Sequence, residues 1–235
     1  MARQQGTDRV PLNRARVLRA AVAHADAHGI DGLSMRRLAE SLGVVPMALY
    51  KHVADKEDLL DGMVDTLVAG MPRVAAERPN RWRTAVQDTV LGARDVVTSH
   101  PWGRRAVETR VVRTPVVLGH MEHLTSLFLA GGFTPDLTHH VMHLLGNRIW
   151  GFSPELFDES GAPTPTTGTR RRTSGEPDPA DYPGILAVAA DARARRPGAT
   201  SCDEDFEFAF ALDVLLDAVA RLHRAGWQSR PAPAG

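Results

Sequence analysis

The chain has one cysteine, Cys202, in 235 residues. A lone cysteine excludes an intramolecular disulfide and any cysteine-rich zinc module, and it matches the reducing cytoplasm, where the protein is expected to reside. Long apolar runs are also missing. No stretch approaches the roughly 18 uncharged apolar residues that span a bilayer, so no membrane partner is expected. Ala2 to Arg19 is polar and arginine-rich, without the apolar centre of a secretory signal, so no export signal is expected either. Net charge is absent, with 28 Lys and Arg against 28 Asp and Glu, but the balance hides an asymmetry. Residues 1–56 hold nine basic and five acidic side chains, which makes the front +4 and the remainder −4. Local charge governs attraction to phosphate even when the total cancels, so this front end points to a polyanion partner. With 43% hydrophobic and 24% charged residues, the composition is that of an ordinary globular protein of one large domain or two smaller ones.

Strand signals are scarce, because the apolar residues recur every three or four positions and seldom alternate; the pattern predicts an all-α fold. Val17, Leu18, Ala21, Val22 and Ala25 mark a first helix over about 13–28, which Gly29 ends. Ser34 caps a second, with Leu38 and Leu42 on one face and Gly43 as its breaker. A third short helix starts near Val45 or Pro46, where proline loses no hydrogen bond, and turns Leu49 and Val53 inward. Asp55 caps a fourth that carries Leu59, Leu60, Met63, Val64 and Leu67 and runs to about Met71. Further helices are expected from Trp82 to Val97, as a short polar helix or turn at 104–113, from Pro115 to the Gly131-Gly132 pair, at 135–157 and at 182–195. Ser201 and Glu204 form a capping box that opens a last helix over about 202–224. Residues 158–181 are too poor in apolar side chains to order themselves, and are expected to form a mobile loop. The expected organisation is a three-helix head at 1–56 joined to a helical body at 57–235.

Two helices are apolar on more than one face. The last carries Phe206, Phe208, Phe210, Leu212, Val214, Leu215, Leu216, Val219 and Leu222; the 135–157 helix carries Leu137, Val141, Met142, Leu144, Leu145, Ile149, Trp150 and Phe152. A helix apolar on two faces needs two sets of neighbours. A homodimer joined by a four-helix interface supplies them, and so would the interior of a monomer.

Residues 34–53, SMRRLAESLGVVPMALYKHV, have helix-turn-helix form: a helix, a glycine turn and a second short helix. Leu38, Leu42, Leu49 and Val53 pin the pair onto the first helix, which frees Met47, Ala48, Lys51 and His52 to face a major groove, flanked by Arg36, Arg37 and Lys56. Helix pairs of this kind also occur as scaffold. The longer run IDGLSMRRLAESLGVVPMALYKHVADKEDLLDGM resembles the DNA-binding region of TetR-type repressors through Gly32, Arg37, Leu38, Ala39, Leu42, Gly43, Val44, Leu49, Tyr50, His52, Val53, Lys56, Leu59 and Leu60. His100-Pro101-Trp102, Ala130-Gly131-Gly132-Phe133, Gly146, Gly151 and FEFAFALDVLLDAVARL are similar, more loosely, to the subgroup of the tetracycline repressors. The resemblance implies a homodimer that binds a double-stranded DNA operator and a small-molecule inducer. It places base-reading contacts on Arg36, Pro46, Met47, Ala48 and Lys51, and phosphate contacts on Ser34, Tyr50, His52 and Lys56. By chemistry, Arg36 can fork onto guanine, Lys51 can reach guanine or phosphate, and Met47 and Ala48 offer only apolar contact to a thymine methyl. Tyr50 and His52 also have structural readings within the small head core.

Inducer pockets are apolar with a few polar groups. Helix face and resemblance nominate Thr89, Trp102, Arg113, Met121, His139, Met142, His143, Asn147 and Trp150, each of which could equally be core. Tetracycline repressors hold a magnesium–drug complex through a histidine whose counterpart falls near Val107 or Glu108 here, which argues against tetracycline as the ligand, although Glu155 sits where they carry an acid. His120/His123 and His139/His140/His143 have helical spacing, yet no complete Cys/His/carboxylate set appears, so no metal or other cofactor is expected. A metal-responsive regulator, or a redox-responsive one using Cys202 at a helix start, is the alternative within the same fold. There is no glycine-rich phosphate loop and no G-x-S-x-G elbow, so an enzyme is not expected. The cations at the groove surface disfavour a pure protein-interaction module.

Overall fold

The computed structural model describes residues 11–109, 114–150, 181–195 and 203–229, and among them every regular element is helical. The elements are α1 (Arg14–His28), α2 (Met35–Leu42), α3 (Pro46–Leu49), α4 (Lys56–Gly70), α5 (Trp82–Thr98), α6 (Gly103–Thr109), α7 (Pro115–Ala130), α8 (Pro135–Trp150), α9 (Pro183–Arg195) and α10 (Glu204–Arg224). Met1–Gly151 with Leu215–Gly235 form one compact unit and Phe152–Val214 another.

The head is built from local rules. The Asn13 side chain accepts the Arg16 N–H at 2.8 Å and starts α1, which buries Val17, Ala21 and Ala25 at four-residue intervals. Ser34 Oγ accepts the Arg37 N–H at 3.3 Å to start α2. Gly43 ends α2 at φ 67°, a left-handed conformation that costs a side chain with a Cβ, and the Val44 N–H reaches back to the Ala39 carbonyl at 3.0 Å. Pro46 then begins α3, and Asp55 Oδ1 caps α4 by accepting the Asp58 N–H at 2.8 Å.

One apolar core runs through head and body. Val17, Ala21, Leu38, Leu49 and Val53 meet Leu59 and Met63 of α4; further along the same helix, Leu67, Val68 and Met71 join Ala93 and Val97 of α5 with Trp102 and Ala106 of α6. α4 therefore runs the length of this core, from the head helices to α5 and α6. The body adds an aromatic cluster in which Trp82, Phe128 and Phe133 make tilted and edge-on pairs at 4.7–5.6 Å, and Phe133 stacks on His223 at 4.1 Å.

Three expected elements are described only in part or with a shifted start. The polar helix or turn expected at 104–113 is described as a helix over Gly103–Thr109, and 110–113 lie outside the described residues. α8 is described to Trp150, and 151–157 lie outside the described residues. α10 starts at Glu204, because Asp203 Oδ1 accepts the Phe206 N–H at 3.0 Å; Ser201 and Cys202 lie outside the described residues, as does the 158–181 segment except Asp181. α10 buries Phe208, Leu212, Leu216 and Val219, while Phe206, Phe210 and Val214 on its other side stand 62, 57 and 51% exposed.

Candidate nucleic-acid interface

With Leu38 and Leu49 fully buried, the outer surface of the helix pair consists of the residues that follow and precede them. Val45 and Met47 are about 70% exposed, Tyr50 is 47% exposed, Pro46, Lys51 and Lys56 are exposed, and Ala48 is half-buried. Arg36 is exposed on α2, with Nε donating to Glu40 Oε1 at 3.0 Å one turn on. Arg37 turns away from this surface and braces the entry to α2, its Nη1 donating to the Gly32 carbonyl at 3.0 Å. Ser34 is half-buried and occupied as the α2 cap, although a hydroxyl oxygen retains capacity for another partner. His52 is half-buried, and its carbonyl accepts from Arg14 Nη1 at 2.9 Å. The structure adds Val45 to this surface; immediately before Pro46 and outside any helical stripe, it carries no periodic signal in the sequence.

A second feature invisible to local patterns is the fork between Arg14 and Asp58. Nη1 and Nη2 of Arg14 donate to Asp58 Oδ2 and Oδ1 at 2.9 and 2.6 Å, and Oδ2 also accepts the Ala54 N–H at 2.8 Å. This ties the start of α1 to the start of α4 across 44 residues. The hydrogen bonds from Arg14 hold the Asp58 carboxyl below its ordinary value, against the opposing effect of partial burial. A carboxyl whose pKa is depressed by folding stabilises the fold above its unfolded pKa of about 3.9 and loses that contribution as pH falls through the lower folded value. Asp58→Asn should therefore lower the urea midpoint of the head at pH 7, with the deficit shrinking below about pH 4. An equal deficit at pH 7 and pH 3 would show that the fork does not act through its charge.

The nominated pocket residues do not share one environment. Thr89 is fully buried and its Oγ1 accepts the Val74 N–H at 3.2 Å. Met121, His139 and His143 are exposed and Met142 is half-buried; the rings of His139 and His143 meet edge-on at 4.7 Å. Asn147 and Trp150 belong to the last turn of α8, and Arg113 lies outside the described residues. No group of three His, Cys, Asp or Glu able to hold a metal occurs among the described residues. His120, in α7, is buried with neither ring nitrogen hydrogen-bonded; burial, followed by the nearby Arg73 and His123, lowers its pKa and favours the neutral ring.

Trp102 is buried, and its environment reaches the head. Its Nε1–H donates to Asp26 Oδ1 at 2.6 Å, and His100 Nδ1 donates to the same oxygen at 2.7 Å. Asp26 lies on α1, whereas His100 and Trp102 form the α5–α6 corner, so one carboxylate joins the two parts. Arg105 of α6 adds a pair to Asp31 at 2.7 Å, but both side chains are well exposed and the pair is worth little.

Residues 17–63 match the family model for bacterial regulatory proteins of the tetR family, and residues 76–222 match that for the tetracyclin repressor-like C-terminal domain. The chain belongs to the TetR family. Over 213 residues this TetR-family regulator is 31% identical to the HTH-type transcriptional repressor DrrR1 of Streptomyces coeruleorubidus, covering 88% of this chain and 77% of that protein. Its fold is similar to that of apo ActR from Streptomyces coelicolor, with a TM-score of 0.71 at 24% identity over 93% of this chain and 99% of that one. It is also similar to BioQ from Mycobacterium smegmatis, with a TM-score of 0.62 at 24% identity over 90% and 99% of the two chains. The first match ends within α4, at residue 63, and the second begins at residue 76, beyond the end of that helix; the Asp26 contacts with His100 and Trp102 join one matched region to the other. No described helix is long and apolar enough to cross a membrane.

Proposed function

We propose that this TetR-family regulator is a cytoplasmic, non-enzymatic homodimer that represses transcription from a palindromic operator and leaves it when a small, largely apolar molecule binds the body. The observation that carries the DNA half is the solvent-facing surface of α3 on a head that also exposes Arg36, Lys51 and Lys56 and buries its apolar side chains in the core. BioQ has been seen with its natural double-stranded DNA operator, and ActR with actinorhodin. Two heads would meet successive major grooves on one side of the duplex, with half-sites about one helical turn apart. Arg36 and Lys51 would read bases alongside Pro46, Met47 and Ala48, while Ser34, Tyr50, His52 and Lys56 would hold phosphates. Residues 1–56 would act as the DNA-binding domain and 57–235 as the domain for ligand and partner subunit.

The release mechanism follows from the shared core. A ligand that favours one body conformation shifts the head only by its differential affinity for the two states. α4 would carry the shift because its first half packs on the head helices and its second half on α5 and α6 within one continuous core. Pocket contacts would come from α5, α7 and α8 through Thr89, Met121, His139, Met142, His143, Asn147 and Trp150, with Trp102 at the α5–α6 corner and Arg113 before α7.

Two substitutions separate the contact classes. Lys56→Ala should weaken binding to all sequences alike and reduce the salt slope by about 1, whereas Arg36→Ala should relax preference at one base position by about ten- to a hundredfold. Mobility shifts on operator and random duplex at several salt concentrations check this; equal losses on both duplexes for both variants would contradict the division. For the ligand half, actinorhodin, seen bound to ActR, is the first probe, titrated with and without operator. A probe that binds must do so more weakly, by the same factor, in the presence of operator as it weakens the operator itself.

A further inference from the structure

We propose that the exposed apolar strip at α3 reads thymine C5-methyl groups of the operator, with Val45 and Met47 as the reading side chains. The proposal rests on the DNA-binding reading above and adds the chemical class that is read.

The surface presented by α3 is the ground for it. Val45, Pro46, Met47 and Ala48 are consecutive; none has a side-chain donor, and the only side-chain acceptor among them is the weak thioether sulfur of Met47. Their main chain offers little more: Pro46 has no N–H, and the Ala48 N–H is spent on the Val45 carbonyl at 2.9 Å. Yet Val45 and Met47 are 68 and 71% exposed, more than any other large apolar side chain described. A core role is excluded by that exposure, since Leu49 and Val53 already fill the inward positions.

Among base edges in the major groove, the thymine methyl is the one apolar feature. An apolar strip pressed into the groove therefore gains contact energy over thymine methyls and leaves polar edges unpaired elsewhere, so it discriminates by attraction and by penalty. The flanking charges favour a nucleic acid as the occupant. Arg36, Lys51 and Lys56 are all exposed on the same head. The guanidinium most able to read guanine, that of Arg36, is engaged with Glu40 and must exchange that carboxylate before it can fork onto a base. Polar reading thus falls to Arg36 and Lys51, and apolar reading to the strip.

The experiment deletes methyls without touching hydrogen bonds. An operator is first selected from a random duplex library with the full-length chain. Each thymine of one half-site is then replaced singly by deoxyuridine, which lacks only the C5-methyl. Removing one buried methyl should weaken binding about three- to fivefold, and at least two positions per half-site should respond. Val45→Ala and Met47→Ala should each abolish the difference at one of those positions and leave the salt slope unchanged; both sites are exposed, so the head core is untouched. Equal affinity for thymine and deoxyuridine operators, or a methyl effect that persists in both variants, would overturn the proposal. Failure to select any sequence would instead remove the DNA-binding reading on which it stands and leave the strip as a docking surface for a protein.

Discussion

Phe210→Glu is expected to convert the dimer to a monomer and to cut operator affinity at least a hundredfold. Phe206, Phe210 and Val214 recur every four residues and form one exposed stripe on α10, with the two phenyl rings stacked at 6.4 Å. The same helix buries Phe208, Leu212, Leu216 and Val219, so the stripe is surplus to the chain's own core. A second subunit would cover it, and a glutamate at its centre would then place an unpaired carboxylate in that interface. Each isolated head keeps its half-site contacts but loses the effective concentration supplied by its partner, a factor of about 10² to 10⁴. Light scattering gives the mass, and fluorescence anisotropy on a two-half-site duplex gives the affinity. A variant that stays dimeric, or a monomer that binds the full operator as tightly as the parent, would contradict this account.

Asp26→Ala is expected to loosen the head from the body without unfolding either. One carboxylate oxygen accepts from both His100 Nδ1 and Trp102 Nε1, and removing it leaves the buried indole N–H without its partner. Hydrogen bonds to a charged group are worth about 1.5–3 kcal/mol each, with the lower end appropriate because Asp26 is about one-third exposed. The loss corresponds to roughly ten- to a hundredfold faster amide exchange in α1 through local opening, with α7 unchanged. Trp102→Phe, which retains the ring and removes the donor, should produce part of the same effect. Exchange that rises equally in α1 and α7 would mean that Asp26 supports global stability and not the junction. In a regulator so altered, α4 alone would carry the message from the ligand, and the effect of a bound ligand on operator affinity should fall.

The head was legible because its determinants are local. Asn13, Ser34 and Asp55 each cap a helix through an N–H three residues on, and Gly43 supplies the left-handed turn, so each signal lies within one turn of its effect. At α10 the described cap is Asp203, whose Oδ1 accepts the Phe206 N–H, while Ser201 lies outside the described residues. Long-range pairs were not legible: nothing in the spacing links Asp26 to Trp102, 76 residues away, or Arg14 to Asp58. The body site was harder still. α8 buries Leu137, Val141 and Leu145, which turns His139 and His143 outward, a consequence of helical phase that can be drawn only once the inward face is known.

The central claim, that this head is a sequence-specific DNA reader, is tested most directly by one binding isotherm pair. The full-length dimer is titrated onto the DNA flanking its own gene and onto random duplex of equal length, at one stated salt concentration. Preference for the flanking DNA by about 10³-fold or more, falling on both duplexes as salt rises, is the predicted result. Equal affinity for the two duplexes would contradict the account.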